Sequence, residues 1–142
     1  MPAASIRFHS EYPGFKLHAT TIRRGWIEEV ITAEKKKTGP LQFVFCSDDY
    51  LLDINVRYLE HDYYTDIITF DYSSGKIVSG DLFISIDRVK ENALTLKQPF
   101  ETELSRVLIH GVLHLLGYTD KGRIPQALMR KKEDKYLSLL GK

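Results

Sequence analysis

Hydrophobic positions along the chain alternate between the two-residue period of strands and the roughly 3.6-residue period of helices. Short segments rich in aromatic and β-branched residues predict four strands, and longer periodic segments predict five helices. The predicted strands cover residues 5–10 and 41–47 and the two arms of a hairpin spanning 67–86 around the turn SSGK. The predicted helices begin at Thr20, at Asp48, at Asp87 and near Glu101 and Pro125.

Several boundaries of these helices carry recognisable signals. Thr20 or Thr21 is the expected cap of the first helix, which has lysines in its last turn and ends before Gly39. Ser47 is the expected cap of the second helix, and Pro99 ends the third. The last helix is amphipathic, with apolar side chains at Leu128, Met129, Tyr136, Leu137 and Leu140.

Mixed strands and helices predict an α/β or α+β fold, with helices packed on a small sheet. The helix that ends at Leu116 is apolar on all sides, so we expect it to be central and buried. No repeat or linker divides the 142 residues, which predicts a single domain over 1–142.

Composition excludes little about partners, because 20 basic and 19 acidic side chains give a net charge of +1. No apolar stretch approaches the roughly 20 residues of a membrane span, and the N-terminus lacks the pattern of a signal peptide. We therefore expect a cytoplasmic protein without a membrane partner. The single cysteine, Cys46, lies in an apolar strand and is expected to be a small buried side chain.

The candidate chemistry lies in RVLIHGVLHLLGYTD, residues 106–120, where His110 and His114 are surrounded by apolar residues. Side chains four residues apart share one helix face, about 6 Å apart at Cβ, and can bind one metal ion. Gly117 can end the helix and let the chain return, which brings Asp120 back as a third ligand. Three protein ligands leave a fourth tetrahedral position open, as in catalytic zinc sites.

Zinc peptidases use a similar helix, but they place a glutamate general base beside the first histidine. The corresponding residue here is Gly111. A zinc peptidase-like hydrolase is therefore an alternative function that lacks its usual general base.

The segment HGVLHLLGYTD, residues 110–120, resembles the signature H-G-x-L-H-L-x-G-Y-D-H of the YbeY family of ribosomal RNA maturation factors. TDIITF at 65–70 and GDLFIS at 80–85 are similar to two further family segments, in the same order. Met129 and Glu133 match a methionine and a glutamate that family members tend to carry in the next helix.

This resemblance implies an α+β fold, a small mixed β-sheet flanked by helices. It also implies a zinc-dependent endoribonuclease that acts on single-stranded RNA, with one zinc ion per chain. It implies ribosomal RNA and the ribosomal small subunit as partners, and small-subunit ribosomal RNA processing and ribosome quality control as the function. A metal-bound water or hydroxide would assist cleavage of the phosphodiester. The residues do not predict the oligomeric state.

Two residues depart from the family pattern. Asp120 stands where the family has its third metal-binding histidine, and Thr119 stands at the preceding aspartate. A carboxylate ligand makes iron or manganese possible as well as zinc. Leu59 occupies the position of a family arginine near the metal, so Arg57, two residues earlier, is the candidate catalytic residue.

Lys121 and Arg123 directly follow the last predicted ligand, and they are candidate substrate-binding residues that would contact phosphates. Aromatic residues in YLEHDYYTD, residues 58–66, could stack on exposed bases. Core packing and loop anchoring explain Tyr63 and Tyr64 equally well.

A ribosome-associated assembly factor with a mainly structural metal is the alternative from another functional class. A closed structural site needs a fourth protein ligand. The sequence offers none, because Cys46 lies on a distant strand and His9, His18 and His61 match no position of the signature.

Overall fold

The computed structural model describes residues 5–61 and 64–140, which form a four-stranded sheet with five helices. The strands are β1 (Ile6–Ser10), β2 (Lys37–Cys46), β3 (Ile67–Asp71) and β4 (Ile77–Ser85). The helices are α1 (Thr20–Ala33), α2 (Asp48–Leu59), α3 (Ile86–Leu96), α4 (Phe100–Leu115) and α5 (Arg123–Leu140). The predicted α+β fold with a mixed sheet is confirmed.

The sheet has the order β1-β2-β4-β3. Strands β1, β2 and β4 run parallel, and β3 pairs antiparallel with β4, with Ile67 opposite Ile84 and Asp71 opposite Gly80. The predicted hairpin over residues 67–86 is therefore present. Because successive side chains of a strand point to opposite faces, the sheet separates two hydrophobic clusters.

The larger cluster lies on the face covered by α1, α3 and α4, with α5 packed against α1 and α4. Helix α4 is central, as its apolar sequence predicts. Its fully buried side chains include Leu104, Leu108, Ile109, Val112 and Leu113. On the opposite face, α2 covers a smaller cluster: Cys46, Leu51, Ile54 and Ile68, with Phe70 and Phe83 at its edge.

The first helix is shorter than its sequence predicts. It ends at Ala33, Lys35 adopts a left-handed conformation with φ of 64°, and Lys37 joins β2. Pairing of Lys37 and Thr38 with Ile77 and Val78 of β4 replaces the expected last helical turn. Tertiary pairing here outweighs the favourable helix propensity of lysine.

Two predicted caps also differ. The residue before α1 is Ala19 in a left-handed conformation, and no side chain caps this helix, so neither Thr20 nor Thr21 does so. Helix α3 is capped by Ser85, whose hydroxyl accepts a hydrogen bond from the Arg88 N–H, two residues before the predicted start at Asp87. Ser47 caps α2 as predicted. Among the described residues, no helix has the length and apolar character needed to cross a membrane.

Gly80 allows β4 to pack between β3 and the end of α4. A Cβ at Gly80 would lie 2.5 Å from the backbone oxygen of Phe70 and 3.2 Å from both Leu115 methyl groups. Because the Phe70 oxygen belongs to a paired strand, it cannot move away without loss of sheet hydrogen bonding.

We therefore expect Gly80→Ala to lower the free energy of unfolding by about 2 kcal/mol, as overpacking in a core does. Denaturant unfolding followed by circular dichroism measures the change. Gly25→Ala is the control, because a Cβ at Gly25 meets nothing within 4 Å. A Gly80→Ala protein as stable as wild type would contradict the close approach.

Candidate metal centre

His110 and His114 project from one face of α4, one turn apart, as their spacing predicts. Their ring centroids are 4.6 Å apart, and the two Nε2 atoms are 3.0 Å apart. Gly111, between them, allows α4 to lie close to the sheet. A Cβ there would come within 2.6 Å of Ile67 Cδ1 and of Leu82 Cδ2.

The chain turns back after α4 through a Schellman motif, and this turn brings Asp120 to the histidines. Gly117 has φ of 105°, its N–H donates to the His114 oxygen at 3.0 Å, and the Tyr118 N–H donates to the Leu113 oxygen at 3.0 Å. A positive φ is costly for residues with a side chain, which explains the glycine. The Oδ2 atom of Asp120 lies 3.4 Å from His110 Nε2 and 3.7 Å from His114 Nε2.

These three donor atoms fit a tetrahedral ion. Bonds of about 2.0 to 2.1 Å at the tetrahedral angle separate two donors by roughly 3.3 Å, close to the distances observed here. Among the described residues, only His110, His114 and Asp120 form a group that could hold a metal ion in this way. Three donors leave one tetrahedral position open.

A buried carboxylate, Glu133 of α5, orients the first imidazole. His110 Nδ1 lies 2.6 Å from Glu133 Oε2, and Arg106 donates to Glu133 Oε1 at 2.8 Å. Burial raises the pKa of Glu133, but hydrogen bonds from His110 and Arg106 outweigh it, and the pKa is lowered. An ionised carboxylate can only accept, so Nδ1 carries the proton and the lone pair of neutral His110 is on Nε2, facing the other donors.

The two histidines have opposite pKa shifts. Burial lowers the pKa of His110, but its hydrogen bond to Glu133 and the negative charges of Glu133, Asp66 and Asp120 raise it above the ordinary value. For His114, burial and the charge of His110 lower the pKa. Protonation of both histidines at once is therefore unfavourable, and His114 favours its neutral form. A neutral imidazole is the form that binds a metal ion.

The family resemblance predicts a glutamate at position 133 but no role for it. The signal was its position on the apolar face of the last helix, four residues after Met129 and three before Tyr136. Met129, Glu133 and Tyr136 are the buried residues of α5. A carboxylate on such a face needs a buried partner, and His110 and Arg106 provide it.

A cleft of about 550 Å³ opens beside the donors. Two donors, His110 and Asp120, line it, and the other lining residues are Arg123, Gln126, Ala127, Met129, Arg130 and Glu133. Arg123 thus lies beside the donors, and its contact with phosphates stays a prediction. Lys121 is exposed on the adjoining loop and is not among the lining residues.

Arg57 is not brought to this cleft. It lies on α2, on the other face of the sheet, where its Nε lies 3.1 Å from the Asp53 carboxylate. A second cleft, of about 350 Å³, lies on that face and is lined by Ile54, Tyr58, Phe70, Tyr72, Asp81 and Phe83. The catalytic role of Arg57 stays a prediction that no contact with the metal centre supports.

The remaining candidates lie away from the donors. The Tyr64 hydroxyl lies 3.3 Å from Asp49 Oδ1 at the start of α2, in agreement with loop anchoring, and Tyr63 is outside the described residues. His9 pairs with Glu11. Cys46 is fully buried, as predicted, and burial together with nearby carboxylates raises its pKa to about 12.

Comparison with known proteins points to one family. Residues 8–141 match the family model described as endoribonuclease YbeY. An endoribonuclease YbeY from Phocaeicola vulgatus is 51% identical over 128 residues, which cover 90% of this chain and 91% of that protein. One from Flavobacterium psychrophilum is 51% identical over 125 residues, or 88% of this chain and 89% of the relative.

A solved structure is also similar. The solution structure of a Thermotoga maritima protein matches with a TM-score of 0.66 and 27% identity, covering 95% of this chain and 88% of that one. The family model and the two sequence relatives, all described as endoribonuclease YbeY, thus cover nearly the whole chain. The chain belongs to the YbeY family of endoribonucleases.

Proposed function

We propose that this endoribonuclease is metal-dependent and cuts single-stranded RNA during maturation of small-subunit ribosomal RNA in the cytoplasm. Residues 1–142 would act as one domain and bind one zinc ion, with iron or manganese as alternatives, through His110, His114 and Asp120. The observation that carries this proposal is the triangle of three donor atoms, at tetrahedral spacing, beside an open cleft.

A bound divalent ion would supply Lewis acidity toward the phosphodiester and would activate water for attack on it. The protein side chains would do the rest. Glu133 would keep the proton of His110 on Nδ1, so that Nε2 stays available as a donor. Arg106 forms ion pairs with Glu133 and Asp134, and these carboxylates neutralise the charge of the guanidinium. Arg106 would therefore hold Glu133 in place and would not bind the substrate.

Binding of the RNA backbone would fall to the arginines of the cleft. Arg123 and Arg130 line it, and among the described residues neither lies within 4 Å of a carboxylate oxygen, although the charge of Arg130 acts on the Glu103 carboxyl. Guanidinium groups bind phosphate oxygens well. Lys121, on the neighbouring loop, would add a third positive charge. The ribosomal small subunit is the proposed partner that presents the RNA.

The alternatives differ in what they require of the site. A peptidase needs a general base beside the first histidine, where this chain has Gly111 packed against the sheet. A structural metal needs a fourth protein ligand, and the described residues offer three.

Cleavage of a labelled single-stranded RNA tests the proposal. We expect wild type to cut it when Zn²⁺ or Mn²⁺ is supplied and to stop when a chelator is added. His114→Ala should lose at least about a hundredfold in rate, because it removes a ligand. His9→Ala is the matched control, since it removes an exposed imidazole on β1. RNA binding by wild type without metal-dependent cleavage would instead favour the assembly factor.

A further inference from the structure

The third donor differs from the other two in how it is held. His110 and His114 lie on the buried helix α4, whereas Asp120 lies in the loop between α4 and α5, and its side chain is 47% exposed. Among the described residues, its carboxylate has polar contacts only with the two imidazoles. Its position therefore depends on what fixes the loop.

Tyr118, two residues before Asp120, ties this loop to the first helix. Its hydroxyl donates to Glu34 Oε1 at 2.6 Å, across 84 residues of sequence. Glu34 directly follows the last residue of α1. Among the described residues, this is the one side-chain hydrogen bond that joins the loop to an element other than α4 and α5.

Glu34 is itself held firmly. Its Oε2 accepts hydrogen bonds from the Tyr136 hydroxyl and, at 3.0 Å, from Lys132 Nζ, both on α5. Burial raises the pKa of Glu34, but the hydrogen bonds from Tyr118, Tyr136 and Lys132 lower it overall, so the carboxylate stays charged. A negative charge at a helix C-terminus is unfavourable, and these three donors compensate for it.

We propose that Tyr118 and Glu34 are positioning residues of the metal centre, because their hydrogen bond holds the loop where Asp120 meets His110 and His114. The proposal rests on the metal site proposed above. Neither residue touches the ion. They act by lowering the conformational freedom that Asp120 would otherwise lose when the metal binds.

Metal affinity, measured by competition with a chromophoric chelator for Zn²⁺, tests this role without any activity assay. We expect Tyr118→Phe to weaken Zn²⁺ binding about tenfold, the lower end of the effect of supporting residues. Tyr12→Phe is the matched control, because it removes a tyrosine hydroxyl that donates to a carboxylate, Asp87 Oδ1 at 2.8 Å, outside the network of Tyr118 and Glu34. It should bind Zn²⁺ within about twofold of wild type, whatever its melting temperature.

A double-mutant cycle separates positioning from general destabilisation. In an Asp120→Ala background the loop has no ligand to place, so Tyr118→Phe should change Zn²⁺ affinity by less than about threefold. Glu34→Gln, which keeps an acceptor for Tyr118, should lose less affinity than Glu34→Ala.

Wild-type Zn²⁺ affinity in Tyr118→Phe, or an equal loss with and without Asp120, would overturn the positioning role and leave the metal site standing. A wild-type protein that binds no divalent ion would overturn both proposals.

Discussion

The His110→Ala, His114→Ala double mutant is expected to be purified without stoichiometric metal, and wild type is expected to be purified with close to one divalent ion per chain. Removal of both imidazoles leaves the exposed carboxylate of Asp120 as the last of the three donors. If a full zinc site contributes about 10 to 16 kcal/mol, two ligands account for several kcal/mol, or at least about a 10⁴-fold loss of affinity.

Elemental analysis of the purified proteins measures this loss directly. The control is His9→Ala, His18→Ala, which removes two exposed histidines outside the proposed site. Circular dichroism should show that both double mutants are folded. Metal retained at one ion per chain after loss of His110 and His114 would show that these residues are not its ligands.

Metal affinity is expected to decrease in the order wild type, Asp120→His, Asp120→Asn and Asp120→Ala. The affinity of Asp120→His should be close to that of wild type. Histidine supplies a nitrogen donor, asparagine keeps the shape without the charge, and alanine supplies no donor. The same titration against a competing chelator measures all four proteins, with Asp53→Ala as a control for loss of an exposed carboxylate that pairs with Arg57.

The alternative is that Asp120 only orients a histidine through a hydrogen bond. That role requires a contact with the ring nitrogen that faces away from the metal, and on His110 this nitrogen is bonded to Glu133. Asp120 Oδ2 instead lies near Nε2 of both histidines. If Asp120→Ala binds metal within about tenfold of wild type, a difference of ~1.4 kcal/mol, Asp120 is not a ligand.

The group of three donors could be predicted from sequence because these candidate ligands lie within a segment of 11 residues. A helical spacing placed His110 beside His114, and Gly117 signalled the turn that returns Asp120. Local backbone geometry is sufficient for such a site. Family resemblance then predicted the chemistry, which geometry alone leaves open.

The supporting residues were harder to predict, because their contacts join distant parts of the chain. Glu34 meets Tyr118 only after α1 and α5 have packed on α4, and no local pattern marks Glu34 among the lysines that follow it. The early end of α1 also results from a long-range contact, because Lys37 pairs with Ile77 of β4 and becomes part of a strand. Arg57 was chosen by its proximity in sequence to a family position, but α2 lies across the sheet from the metal centre.

The two clefts differ in the kind of recognition they permit. Among the described residues that line the metal cleft, none is a phenylalanine, tyrosine or tryptophan, while Tyr58 and Tyr72 lie in the other cleft beyond the sheet. A nucleotide at the metal could not stack on those rings, since the sheet lies between. We therefore expect the rate of cleavage to depend little on which base stands at the cut site. The cut would fall where the RNA is single-stranded and its phosphates can reach Arg123 and Arg130.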